Sequence, residues 1–161
     1  MKYGMAHFVP EMAGGYGIES LEAIHHLAND LGLPLCIENM FPGYGAFFKA
    51  DAFGDIFKRY PDMQMTLDTG HAHIGSPDGS RLRLFVKHFG SRIAHVHISD
   101  NSGSADEHLP PGSGTIDFQW LVGKLKRIGF QETVTFEIFT GGDRALKSSR
   151  ENFIKWWGRQ R

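Results

Sequence analysis

Five short apolar runs recur along the chain, each closing near a polar side chain and each followed by a segment of helical periodicity. The runs are Lys2 to His7, Leu33 to Glu38, Met63 to Asp68, Ile93 to His97 and Thr133 to Phe139; the helical segments are Ile18 to Leu31, Ala50 to Tyr60, Ser80 to Phe89, Phe118 to Ile128 and Asp143 to Trp157. Alternation on this scale predicts five consecutive βα units, with parallel strands joined by right-handed helical crossovers. Runs that are apolar nearly throughout, such as Leu33-Pro34-Leu35-Cys36-Ile37, suit strands covered on both faces. Glu19, Ser20 and Glu22 fit the first turn of the first helix, where the helix dipole favours negative charge. Gly32, Gly90 and Gly129 stand where helices commonly end in a left-handed glycine.

The polar residues at the run ends are in phase. His7, Glu38, Asp68, His97 and Glu137 are separated by 31, 30, 29 and 40 residues, and a βα unit takes about 30 residues or more. Carboxyl ends of parallel strands lie side by side, and active sites are built there. A polar strand end is ordinary by itself; five in phase point to one site. Carboxylates with imidazoles suit Mn²⁺, Zn²⁺, Co²⁺ or Mg²⁺, whereas a single cysteine, Cys36, excludes iron–sulfur and soft-metal centres. The loops add further groups. LDTGH places His71 three residues after Asp68, HISDN places Asp100 three after His97, and DEHLPPGSG carries Asp106 and His108 on a Pro/Gly-rich loop. Such second groups can reach substrate or a neighbouring ligand.

Taken together, IEN, LDTGH, HISDN, DEHLPPGSG and FE, in this order and spacing, resemble the xylose isomerase-like barrels. That family includes sugar isomerases and epimerases, inosose dehydratase-type enzymes and endonuclease IV. The resemblance implies an α/β fold of (β/α) TIM-barrel type, here incomplete, with about five βα units matching the C-terminal part of an eight-stranded barrel. It implies a metal site at Glu38, Asp68, His97 and Glu137, with Glu38 and Glu137 doubling as the catalytic acid/base pair. His71 matches a position that contacts substrate in epimerases or an additional zinc in the endonucleases. Asp106 and His108 match the other ligands of that zinc, and His7 matches the imidazole ending the fourth barrel strand. The implied cofactor is one divalent ion, with additional zinc possible.

The chemistry suits the same residues. A divalent ion on a ketose carbonyl and its neighbouring hydroxyl acidifies the adjacent C–H, and two carboxylates can move that proton through an enediolate. The expected function is a metal-dependent isomerase or epimerase of a sugar, sugar phosphate or polyol. The alternatives are a zinc-dependent abasic-site DNA endonuclease or a non-catalytic truncated barrel. Charge favours the first. Seventeen Lys and Arg against 18 Asp and Glu give a net charge of −1, which disfavours binding nucleic acid by blanket electrostatics. No Gly-rich nucleotide-binding motif is present, so no nucleotide cofactor is expected.

The 161 residues read as one partial domain, 1–161, against about 250 for a complete barrel. The units start at what matches the fourth barrel strand, which leaves three expected explanations, a truncated product, a partner chain completing the barrel or a homodimer, with self-association favoured. No run reaches the roughly 20 apolar residues of a membrane span, and a cytoplasmic location is the expectation. Met40 to Phe48, rich in aromatics, forms either a wall over a sugar or a core patch. His25, His26 and His88 read as helix-surface residues, His73 and His95 as candidates to line the site, and Trp156 and Trp157 as packing of the last helix.

Overall fold

The computed structural model describes residues 4–5, 16–44 and 47–159. Its sheet holds five strands in chain order, β1 (Gly4–Met5), β2 (Leu35–Glu38), β3 (Gln64–Asp68), β4 (Ile93–Ile98) and β5 (Thr133–Phe136), and every neighbouring pair is parallel. The helices are α1 (Tyr16–Asp30), α2 (Ala50–Arg59), α3 (Thr69–His73), α4 (Ser80–Phe89), α5 (Phe118–Arg127) and α6 (Gly142–Arg159). Each crossover steps one strand onward in the same direction. The order never reverses, as it would in a doubly wound sheet, and the chain is an arc of a (β/α) barrel.

Side chains alternate across each strand, and the two faces differ sharply. Leu35, Ile37, Met65, Leu67, Val96 and Ile98 join the buried core that the helices supply with Phe53, Phe57, Phe85, Leu121 and Leu125. The rings of Phe53 and Phe85 meet edge-on at 5.3 Å, tying α2 to α4. The opposite face carries Cys36, Glu38, Thr66, Asp68, His95, His97, Thr133 and Thr135, polar where a barrel interior is ordinarily branched and apolar. A register shift between Met65 and Thr66 sets Thr66 beside His95 and Asp68 beside His97. That shift puts two site residues in one row.

Several local expectations are corrected. Gly32 and Gly129 do adopt positive φ, at 62° and 74°, but Gly90 is right-handed and continues into a 3₁₀ turn, Gly90–Arg92. The last run pairs only to Phe136, so Glu137 sits one residue beyond β5, its amide bonded to the Ile98 carbonyl at 3.0 Å. LDTGH, read as a loop, folds into α3 directly at the end of β3. His7 and most of the first run lie outside the described residues.

No helix among the described residues is long and apolar enough to cross a membrane. At one end of the arc α1 exposes Ile24 and Leu27, with exposed Leu31 directly after it; at the other, α6 exposes Leu146 and Ile154. Among the described residues β1 and β5 each pair on one side only.

Candidate metal centre

Glu38 ends β2, Asp68 ends β3, His97 lies near the end of β4 and Glu137 follows β5. The barrel arc bends these neighbours together. One ligand atom from each of Glu38, Asp68 and His97 lies within 4.8 Å of the others. His97 Nδ1 is 3.6 Å from Glu38 Oε2, 3.6 Å from Asp68 Oδ2 and 3.1 Å from Glu137 Oε1. It makes no aligned hydrogen bond with any of them, and Asp68 Oδ2 and both ring nitrogens of His97 are buried without a hydrogen-bond partner. Buried polar atoms are almost always satisfied. A carboxylate oxygen and an imidazole nitrogen left bare together, among further carboxylates, fit a divalent cation of the Zn²⁺ or Mn²⁺ kind.

Local folding explains why Asp68 has one oxygen to spare. Its backbone is extended as the N-cap of α3, and Oδ1 accepts the His71 amide at 2.7 Å, which directs Oδ2 toward His97. The start of α3 also brings His71 round to the site, with Nδ1 3.1 Å from Glu38 Oε1.

A second group adjoins the first. His71 Nε2 lies 3.6 Å, and His108 Nε2 3.1 Å, from Asp106 Oδ2. Each ring can donate from Nδ1 to a main-chain carbonyl, His71 to Asn39 at 3.1 Å and His108 to Glu137 at 2.9 Å. Donation there leaves both Nε2 atoms facing the same carboxylate, an orientation that second-sphere contacts commonly impose on ligating imidazoles.

Electrostatics separates the two glutamates. Burial raises the Glu38 carboxyl, but the imidazoles of His71 and His97 close beside it outweigh burial and bring its pKa down to about 2. Burial also raises Glu137, and the charges of Asp68 and Glu38 add to it, so Glu137 ends above the usual carboxylate range. For the imidazoles, burial favours the neutral ring, yet Asp106, Glu38 and Asp68 push His71 up to about 11, and Asp68, Glu38 and Glu137 push His97 up to about 10.

The remaining candidates divide. Asp100 does not face substrate or a ligand: its fully buried carboxylate accepts the amides of Asn101, Gly112, Gly114 and Ile116 and pins the loop that carries Asp106 and His108. His73 turns away to Thr115 Oγ1, 2.8 Å off. His95 lines the barrel interior beneath His97, hydrogen-bonded to Thr133 and Thr135. His25 pairs with Asp62 on the surface. The aromatic segment splits: Met40 and Phe47 join buried packing, whereas the Phe41 ring lies 5.3 Å from His71 and 4.7 Å from Tyr44. Trp156 stacks on Phe118 and Trp157 on Phe153 as packing groups. Sequence reasoning missed Phe139, which is 76% exposed and stacked 4.0 Å from His108, and Asn39 and Thr69, each directly after a carboxylate of the site.

The family model of the xylose isomerase-like TIM barrel matches residues 11–156. The chain belongs to this family. Among solved xylose isomerase-like and related structures, a D-tagatose 3-epimerase-like protein superposes with a TM-score of 0.75 at 26% identity, over 96% of this chain and 60% of its own. D-psicose 3-epimerase from Clostridium cellulolyticum H10, solved with D-tagatose, has a TM-score of 0.65 at 20% identity, over 88% and 55%, a likeness of fold. The uncharacterized protein MJ1614 of Methanocaldococcus jannaschii is 34% identical over 111 residues, 69% of this chain and 42% of that protein. This xylose isomerase-like chain spans about half the length of the curated relatives it matches.

Proposed function

We propose that this chain carries the metal and acid/base centre of a divalent-metal-dependent isomerase or epimerase acting on a small sugar, sugar phosphate or polyol. The observation that carries the proposal is the pair of glutamates. They come from β2 and from the end of β5, with β3 and β4 between them, and so approach His97 from two sides. Glu38 Oε2 and Glu137 Oε1 lie 3.6 Å and 3.1 Å from the same His97 nitrogen, which sets two carboxylates around one site, the arrangement an acid/base pair needs.

Glu38, Asp68, His97 and Glu137 would hold the ion, which when bound polarises a sugar carbonyl and acidifies the neighbouring C–H. Glu38, ionised, takes the proton from that carbon. Glu137 returns a proton from the other side, giving the epimer or, at the adjacent atom, the isomer. Phe41 and Phe139 supply aromatic faces at the rim for the apolar face of a sugar. The family and the tagatose 3-epimerase-like structure support this reading. Mn²⁺, Zn²⁺, Co²⁺ and Mg²⁺ all suit the donor set. The reading extends to a cytoplasmic setting and to strands from a second copy or partner chain along the sides of β1 and β5 that pair with no described strand.

The His71, Asp106 and His108 group favours a second reading, an additional zinc and abasic-site DNA cleavage. Incubating the Mn²⁺-, Co²⁺- or Zn²⁺-loaded chain with D-tagatose, D-psicose and D-fructose, beside an abasic oligonucleotide, separates the two. Interconversion of ketoses that is lost in Glu38→Gln and Glu137→Gln supports the first. Strand cleavage without sugar turnover replaces it with the second, and inactivity in both assays contradicts both.

A further inference from the structure

The backbone ladder between β2 and β3 ends at the Glu38–Thr66 pair and that between β3 and β4 at Asp68–His97, each at the last residue of the earlier strand. Beyond those points side chains take over. Asn39, fully buried, donates from Nδ2 to the Asp68 carbonyl and accepts the Asp68 amide on Oδ1, both at 2.9 Å. One strand over, Thr69, also fully buried, donates from Oγ1 to the Ser99 carbonyl at 2.8 Å and accepts the Ser99 amide at 3.2 Å. Asn101 then donates to the Gly70 carbonyl at 3.0 Å, tying the far side of β4 back to α3. The pattern repeats: the residue after a carboxylate of the site grips both main-chain polar groups of one residue at the end of the next strand or directly after it.

These grips fall where the backbone has most freedom to splay, since a strand that runs into a loop loses its neighbour. Asn39 fixes the peptide on either side of Asp68, the carboxylate whose Oδ2 is left bare. Its own carbonyl takes the His71 Nδ1 proton. Thr69 fixes Ser99, two residues beyond His97. Neither side chain is a ligand. Each is an amide or hydroxyl aimed at main chain, and together they span β2, β3 and β4.

We propose that Asn39 and Thr69 are positioning residues of the metal centre: their side chains replace the backbone ladder at the strand ends and hold Glu38, Asp68 and His97 at the separation one ion needs. The inference rests on the metal-centre reading above. Groups around a metal's ligands that set their orientation are commonly worth about 10–100-fold in metal affinity.

The test uses the full chain with Co²⁺ as probe, followed by calorimetry and by the visible absorption of the bound ion, which reports coordination geometry. Thr69→Val removes the hydroxyl and keeps the shape; Thr69→Ser keeps the hydroxyl; Asn39→Asp replaces the donor facing the Asp68 carbonyl with an acceptor. A core variant remote from the strand ends, Phe85→Leu, measures what loss of stability alone does. Thr69→Val and Asn39→Asp are expected to bind Co²⁺ about 10–100-fold more weakly with an altered spectrum, while Thr69→Ser and Phe85→Leu bind as the parent chain does. Should Asn39→Asp fail to fold, the two Thr69 variants still decide. Parent-like affinity and spectrum in Thr69→Val, or an effect no larger than that of Phe85→Leu, overturns the proposal. A parent chain that takes up no Co²⁺ overturns the metal-centre reading and this inference with it.

Discussion

At Asp68 one carboxylate does two jobs, capping α3 with Oδ1 and presenting Oδ2 to His97. Asp68→Asn keeps the shape but exchanges the negative charge at the centre for a neutral amide, so it is expected to abolish uptake of the ion held with Glu38 and His97 in a calorimetric titration while leaving the circular dichroism spectrum of a folded chain. Glu137→Gln removes the raised carboxyl, and turnover of the responsive ketose is expected to fall about 10²–10⁴-fold, the usual worth of a positioned acid or base. Protonation gives a further test. In the metal-free chain His97 holds its proton up to about 10, above the ordinary 6.5, so this contribution to stability is complete below pH 6.5 and fades as pH rises through about 10. Glu38 works in the opposite sense: its contribution is present above 4.5 and is lost as pH falls through about 2. Ion binding needs neutral imidazole, so uptake releases protons and affinity rises with pH from about 6 to 9. Calorimetry in buffers of different ionisation enthalpy reads the release directly, and a pH-independent affinity would contradict it.

Among the elements, the βα periodicity was legible because each strand and helix must bury an apolar face, and burial leaves a period in the sequence. Glu38, Asp68, His97 and Glu137 were legible for the same reason, since they recur at the ends of those periods. Asp100, Asn39 and Thr69 were not, or were misread, because their partners are main-chain groups on other segments and such contacts leave no period. α3 was missed because it is five residues long, too short for helical spacing to show. Glycine at two positions follows from the same crowded strand ends. A Cβ at Gly114 would overlap Asp100 Oδ1 and the Asn101 carbonyl, and one at Gly70 would overlap Ser99 Oγ. Gly114→Ala is therefore expected to cost about 1–3 kcal/mol in denaturant unfolding and to loosen the loop carrying Asp106 and His108; an unchanged midpoint would argue against the tight pinning by Asp100.

Over the whole molecule, among the described residues the arc ends in two exposed apolar faces, Ile24 and Leu27 on α1 with Leu31 just after it, and Leu146 and Ile154 on α6, at the sides of β1 and β5 that pair with no described strand. In a closed barrel both faces meet neighbouring helices. A second copy or partner chain there predicts a mass above that of one chain by light scattering, and a Leu27→Glu, Leu31→Glu variant shifted toward the monomer. A monomer with unchanged stability in that variant would count against the completion proposal without touching the metal centre. That centre is the central claim, and metal content per chain by elemental mass spectrometry, after loading and gel filtration, tests it most directly. The account predicts about one or two Mn, Co or Zn ions per chain, with the ion held by Glu38, Asp68 and His97 lost in Asp68→Asn. No retained metal, or equal metal in the parent chain and Asp68→Asn, would contradict it.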